Sequence, residues 1–312
     1  MIRHRAWSLI VAGLAAASSG CGGGLMQEQQ AVVVRFDEGS RGLTCLFVYQ
    51  GLHVDEVGSG EAERAKNLDE AKRQLADFLA SGRKLGLFLF GRIDNFDLGK
   101  NPYDSPAAAA TRKSIADAIR VRNDAFFLDP AKGLCLRQTI TVEDPDALAR
   151  SINEAASRAI DEMLTRDLAN PGAAEGEVKI PRSAKLALQA AARAGHRWLA
   201  ITPGKIELRL PVSPEDAASI LKQVESSPRP DDRALIPMLE RAIENFRVKA
   251  GPDGLTIAMG DGSKRTIAIR SEADPRQKPR RDAELIEYAR TLGLPFDRTP
   301  DVESLIRAFS AK

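Results

Sequence analysis

Three histidines, three cysteines and one acid-rich loop are the residues of this 312-residue chain with the clearest capacity for chemistry. His53 stands in Leu52-His53-Val54-Asp55-Glu56, and an imidazole beside carboxylates is a donor set that a divalent metal can use. The helical two-histidine spacing of a metalloprotease is missing. His53 and Asp55 therefore read first as a polar cluster at a strand end and only second as ligands. His196, in Gly195-His196-Arg197-Trp198, reads as a packing or solvated residue where a helix meets a strand. A Ser-His-Asp hydrolase needs its base beside a nucleophile, and the sequence holds no Gly-x-Ser-x-Gly elbow. The stretch Asp94–Asp104 gathers oxygen donors, with Asp94, Asp97, Asn101 and Asp104 as weak calcium candidates. Phe96 and Leu98 occupy places where an EF-hand needs oxygen ligands, and no acid closes the loop. Ordinary turn residues are the default reading there. Glycan hydrolysis needs two opposed carboxylates; the 43 acids of the chain supply the groups without placing them. The glycines form no phosphate-binding fingerprint, and neither a cofactor nor a resident metal is expected.

The elements that must position these groups follow from hydrophobic period. Ala31–Phe36 and Leu43–Val54 read as strands around a turn-rich Asp37–Gly42, and Glu61–Ser81 as a helix with Leu68, Ala71, Leu75, Phe78 and Leu79 on one face. Leu85–Phe90 is a nearly unbroken apolar run, followed by a helix over Pro106–Val121. Asn123–Leu128 and Leu134–Val142 form a hairpin, with Leu134, Leu136, Ile140 and Val142 on one side and Arg137, Thr139 and Thr141 on the other. Pro145–Arg166 carries Leu148, Ile152, Ala156, Ala159, Ile160 and Met163 at helical spacing. Further on come a helix over Pro181–Ala194, a hairpin of Trp198–Ile201 with Lys205–Val212, and helices over Pro214–Glu225 and Arg233–Asn245. A three-strand meander turns at Gly251–Gly254 and Gly260–Gly262. Helices over Asp282–Leu292 and Pro300–Ser310 close the chain. Ser105-Pro106, Asp144-Pro145, Ser213-Pro214 and Thr299-Pro300 share one design, a capping side chain followed by a proline whose missing N–H costs nothing at a first helical position.

The fold class is therefore α+β: antiparallel hairpins and a meander alternating with amphipathic helices, in loosely repeated ββα order. The spacings between the units differ, so shared turn and cap residues explain the order better than duplication does. The small, aperiodic stretch 169–176 divides an N-terminal α+β domain (31–168) from a C-terminal one (177–312). Cys45 and Cys135 lie in strand-like segments. They read equally as a bridge and as two buried free thiols, since sequence cannot bring their Cα atoms within the required ~6 Å.

The N-terminus supplies an address. Arg3 and Arg5 precede an uncharged Ala6–Ala17, and Ser18-Ser19-Gly20-Cys21 follows. A basic region, a short apolar region and a small-residue zone are the parts of a secretory signal. The apolar run is shorter than the ~20 residues a spanning helix needs. Ser19-Gly20-Cys21 resembles a bacterial lipobox, with Ser18 where an aliphatic residue is usual. The resemblance implies a 1–20 signal peptide and diacylglycerol on Cys21, leaving 21–30 as a flexible tether. Cleavage after Ala15-Ala16-Ala17 to give a soluble secreted protein is the other reading. Without Arg3 and Arg5, the 45 basic residues fall to 43 against 43 acids, and a balanced chain lacks the basic surface that nucleic-acid binding requires. Arg276, Lys278, Arg280 and Arg281, interrupted by prolines, read as a solvated linker.

The expectation is thus an exported, lipid-anchored cell-envelope protein on the non-cytoplasmic side of a bacterial membrane. It would bind or scaffold an envelope protein or glycan without catalysis. An envelope hydrolase acting on glycan or peptide, through carboxylates gathered by the fold, is the alternative.

Overall fold

The computed structural model describes residues 24–38, 42–54, 60–80, 84–89, 92–97, 106–130, 133–169, 180–225, 246–251, 253–272, 281–298 and 301–311. The fold is α+β. The described residues form a nine-stranded sheet, a four-stranded sheet and seven helices, none of them long and apolar enough to cross a membrane. They divide into two compact units interleaved along the chain. One takes residues from 18–104, 116–143 and 266–312; the other takes 105–115 and 144–265.

The first unit is built on one long hairpin. β1 (Leu25–Met26) and β2 (Gln29–Phe36) run as two segments of one arm, and β3 (Leu43–Val54) is the other. Leu25 faces Val54, Met26 faces His53, and Gln29–Phe36 face Gln50–Leu43 in unbroken register. Here the expectation of a tether over 21–30 is corrected. Gly24, Leu25, Gln27, Glu28 and Gln30 are buried, and Gln29 and Gln30 pair with Gln50 and Tyr49 in the sheet. Polar residues look solvated in sequence, but their backbone amides pair like any others: Glu28 N–H, between the two strand segments, donates to the Gln50 carbonyl at 3.0 Å. Residues 21–23 lie outside the described residues.

β3 also pairs with β7 (Gly133–Val142), which pairs with β6 (Ile119–Asp129); β4 (Lys84–Leu89) and β5 (Arg92–Asp97) extend the sheet past β1. The helix expected over Pro106–Val121 stops at Ala118, and Ile119–Val121 join β6, where β-branched side chains fit the ladder. β12 (Thr266–Glu272) pairs with β2, Ile267 opposite Val34 and Ile269 opposite Val32. The expected three-strand meander is corrected accordingly. The second side of β11 (Gly254–Met259) is occupied by β9 (Lys205–Leu210), and β12 fills the open edge of β2.

The two faces of this sheet carry separate cores. Tyr49, Leu52, Val54, Phe126, Leu134 and Leu136 pack under α1 (Glu61–Ala80), through Leu68, Ala71, Leu75 and Phe78, and under α6 (Ala283–Thr291), through Leu285 and Ala289. Ala31, Val33, Leu46, Val48, Phe127 and Cys135 pack under α7 (Val302–Ser310), through Val302 and Ile306. Each fully buried large side chain is worth roughly 1.5–3 kcal/mol relative to exposure. A chain of polar groups threads the first core. Tyr49 Oη donates to Gln138 Oε1 at 2.8 Å, Gln138 Nε2 to Asn123 Oδ1 at 2.9 Å, and Asn123 Nδ2 to the Leu79 carbonyl at 3.3 Å. Helix α7 is held at its end by Arg35, which donates to the Phe309 carbonyl at 2.9 Å and lies 4.6 Å from that ring's centroid.

In the second unit, β8 (Leu199–Thr202), β9, β11 and β10 (Phe246–Gly251) form an antiparallel sheet. Leu210, Val248 and Leu255 pack on α4 (Arg182–Arg193) and α5 (Pro214–Glu225). α3 (Pro145–Ala169) packs beside α4 and against β8, so the division placed at 169–176 falls within this unit. The apolar stripe expected on α3 is only partly inward: Leu148 is buried, whereas Met163 is 53% exposed and Leu164, outside the stripe, is buried in its place. A polar ladder does the docking between them. Asn153 accepts from Leu199 N–H at 2.6 Å and donates to the Leu199 carbonyl at 2.9 Å, thereby covering the edge of β8. One and two turns on, Ser157 accepts from Trp198 Nε1 at 2.7 Å and Asp161 from Arg193 Nε at 2.8 Å.

Helix starts match the expected caps where they are described. Asp144 accepts from Ala147 N–H at 2.9 Å and Ser213 from Asp216 N–H at 3.0 Å. For α7 the cap is Asp301, which accepts from Ser304 N–H at 2.8 Å. Thr299-Pro300, Ser105 and the helix expected over 233–245 lie outside the described residues.

Candidate functional site

The place where the sequence departs most from regular strand is the root of the long hairpin. Between Tyr49 and Leu52 the pairing of β3 with β7 slips by one residue, and Gly51 adopts φ +65°. This is a bulge with glycine in the left-handed region, the residue type that reaches it without a Cβ penalty. The slip lets Phe47 and Tyr49 share a core with Leu52 and Val54, while Leu46 and Val48 face the opposite core. Across from the bulge the ladder between β1 and β2 is also interrupted, at Gln27 and Glu28.

Several polar groups collect there. Glu28 is 6% exposed and His53 4%. A Cβ added to Gly51 would lie 2.7 Å from Glu28 Cγ and Cδ, so Glu28 packs directly on the glycine. His53 Nδ1 is 2.7 Å from the Gly51 carbonyl. A carbonyl only accepts, so Nδ1 carries the proton and the ring is fixed in orientation. Gln27 is 1% exposed, and neither atom of its amide has a hydrogen-bond partner. Cys135 reaches the same corner from β7, its Sγ 3.6 Å from the Gly133 carbonyl. Burial pushes its thiol up to about 12, the Gly51 and Asp129 backbone hydrogen bonds opposing this and the carboxylates of Asp129 and Glu28 adding to it. A thiol in that state is a packing group, because the thiolate is the nucleophile.

The sequence candidates are distributed as follows. His53 is interior to the sheet rather than a surface cluster, and Asp55 lies outside the described residues. Asp94 and Asp97 belong to β5, opposite Leu87 and Lys84. Their backbone is extended in a ladder, which removes the encircling loop a calcium site needs; Asn101 and Asp104 lie outside the described residues. Among the described residues no group of three metal-binding side chains converges. His196 follows the end of α4: its N–H donates to the Ala191 carbonyl and that of Gly195 to Ala192, a left-handed helix stop with Gly195 at φ +69°. Its ring meets Trp198 edge to face at 4.7 Å, the packing role expected.

The bridge between Cys45 and Cys135 is excluded, as both are free. Cys45 pairs with Ile140, five residues along β7 from Cys135, which is about 17 Å at strand rise and an odd step that puts the two on opposite faces. Burial raises the Cys45 thiol to about 12 as well.

A second bulge, between Asn123 and Ala125 of β6, makes Asp124 the unpaired residue. Its carboxylate, 8% exposed, is occupied by Arg122, Thr139 Oγ1 and Arg137; Arg137 also reaches Asp297 at 3.2 Å. Among the described residues, carboxylates whose pKa moves do so downward. Lys205 and Arg209 hold Glu207 as an anion, and Arg270 holds Glu303. Glycoside hydrolysis asks the opposite of its general acid.

Sequence reasoning missed this corner. The signal was Gly51, a lone glycine inside an apolar strand, which marks a bulge or a close approach. No family model, curated protein or solved structure matches the chain.

Proposed function

We propose that the chain is an exported protein anchored by lipid on Cys21, whose body binds or scaffolds another cell-envelope component without catalysing a reaction. The observation that carries the reading is the junction between leader and fold. The basic, apolar and small-residue segments end at Cys21, and the sheet begins at Leu25, 2% exposed, with its N–H donating to Gln74 Oε1 at 2.8 Å. An exported anchor of this kind leaves the sheet as the first structure after the membrane. The state of the side chains supports a binding role over a catalytic one. Both described thiols are held protonated, His53 is tied to a carbonyl inside the sheet, and Asp124 is already saturated by partners.

The test is expression with the native N-terminus in a bacterium, then membrane fractionation and mass spectrometry of the mature end. Diacylglycerol on Cys21 in the membrane fraction is the expected result. An uncleaved chain in the cytosol, or a mature end downstream of Cys21, refutes it.

A further inference from the structure

We propose that the outer face of α1 around Lys66, Asp69, Glu70 and Arg73 rests on zwitterionic phospholipid headgroups; this deepens the reading above and depends on acylation of Cys21. The first ground is reach. Cys21 and Gly24 are three peptide steps apart, a span of at most about 11 Å. Gly24 is buried against α1, and a Cβ placed on it would lie 2.5 Å from Gln74 Oε1. The backbone of an acylated Cys21 is therefore within about 15 Å of Gln74, which brings the headgroups around that lipid to the same part of α1.

The second ground is what α1 presents there. From Leu25 a line of polar contacts leads outward: Leu25 N–H to Gln74 Oε1 at 2.8 Å, Gln74 Nε2 to Glu70 Oε1 at 2.9 Å, and Glu70 to Arg73 as an ion pair. Lys66, Asp69, Glu70 and Arg73 line a shallow depression at its end. Two cations beside two anions complement a headgroup carrying a phosphate and an ammonium. A uniformly basic patch would suit anionic lipid, and this one is not uniform.

The experiment uses the acylated full chain in phosphatidylcholine vesicles containing headgroup spin-labelled lipid. A fluorophore is placed through Ala62→Cys or Asp77→Cys, exposed one turn either side of the four charged residues on the same face of α1, or through Glu38→Cys; the half-buried Cys45 and buried Cys135, both thiols raised to about 12, stay unlabelled in the folded protein. Glu38 is exposed near the far end of the hairpin, about 43 Å from Leu25 along the strand. Quenching several-fold stronger at positions 62 and 77 than at 38 is expected. Equal quenching at all three, or none at 62 and 77, overturns the inference, and quenching confined to vesicles with anionic lipid overturns the headgroup assignment. Mass spectrometry of the same samples separates the two readings. An acylated chain without quenching sinks this inference alone, whereas an unacylated Cys21 sinks the anchor and the inference with it.

Discussion

Replacing Gly51 by alanine asks the hairpin root to accept a side chain where the backbone is left-handed. At φ +65° an alanine costs about 1–2 kcal/mol relative to glycine. The lower entropy of the unfolded alanine chain returns about 0.4–1 kcal/mol. The new Cβ would also lie 2.7 Å from Glu28 Cγ and Cδ and 2.9 Å from its Cβ. Glu28 is 6% exposed, so it cannot swing into solvent without repacking, an overfilling worth about 1–3 kcal/mol. The expected net loss for Gly51→Ala is about 2–4 kcal/mol, read as a lower urea midpoint with an unchanged slope. Glu28→Ala, made alone and together with Gly51→Ala, isolates the contact. Removing Cγ and Cδ should recover about 1 kcal/mol or more of the double-mutant coupling. A loss below about 0.5 kcal/mol would refute the strained bulge, and strict additivity of the two substitutions would refute the contact with Glu28.

Three further expectations concern the thiols, the sheet edge and acid. With both thiols near 12, about one molecule in ten thousand is ionised at each site at pH 8. Cys45 and Cys135 should react with a thiol reagent about a thousandfold more slowly than after denaturation in urea, and reductant should leave the melting temperature unchanged; rapid labelling of the native state contradicts the burial. Asn153→Ala strips both hydrogen bonds from the backbone of Leu199 and should cost about 1–3 kcal/mol in a urea titration, and Asn153→Asp, which keeps the acceptor but turns a second acceptor towards the Leu199 carbonyl, should not recover it at neutral pH; a loss below about 0.5 kcal/mol for the alanine variant would show that the backbone pairing is immaterial. Asp261 is lowered to about 2 by hydrogen bonds from Ser263 and by Arg247, and Asp301 and Glu303 are lowered too. These groups bind protons more weakly folded than unfolded, so their stabilisation is complete above about pH 4–5 and is lost as pH falls towards 2. Asp261→Asn should flatten that acid limb in a pH-resolved melt, and an unchanged profile would count against it.

What could be read from sequence depended on how local its cause was. The alternation over Leu134–Val142 gave the buried face of β7 correctly, because Leu136, Gln138, Ile140 and Val142 are buried with half-exposed residues between them. Residues 133–135 break the alternation, since α7 covers the second face there, and a helix that starts 167 residues after Cys135 leaves no mark on local period. The caps at Asp144 and Ser213 were legible for the same reason that they work, a side chain beside its own helix start. Gln27–Gln30 misled because composition reports side-chain polarity, while backbone pairing with β3 placed Gln29 and Gln30 in a strand and tied Glu28 to Gln50. Met163 misled because helical period gives a stripe but not which stripe is covered. Docking by Asn153, Ser157 and Asp161 turned α3 so that its apolar side is partly exposed. The hairpin root was half legible, through Gly51; the burial of Gln27, Glu28 and His53 around it depends on three strands and could not be.

The pairing of β12 with β2 bears on how the protein comes into being. Val32 and Val34 find their outer neighbours only in Ile269 and Ile267, some 230 residues later. At a synthesis rate of about 5–20 residues per second, that is a wait on the order of ten to fifty seconds. Throughout it, a valine-rich ribbon stands with one margin open, the template on which strands of other molecules assemble. A newborn chain carries that open margin across the interval, and any lesion delaying the last fifty residues should show itself first as aggregation.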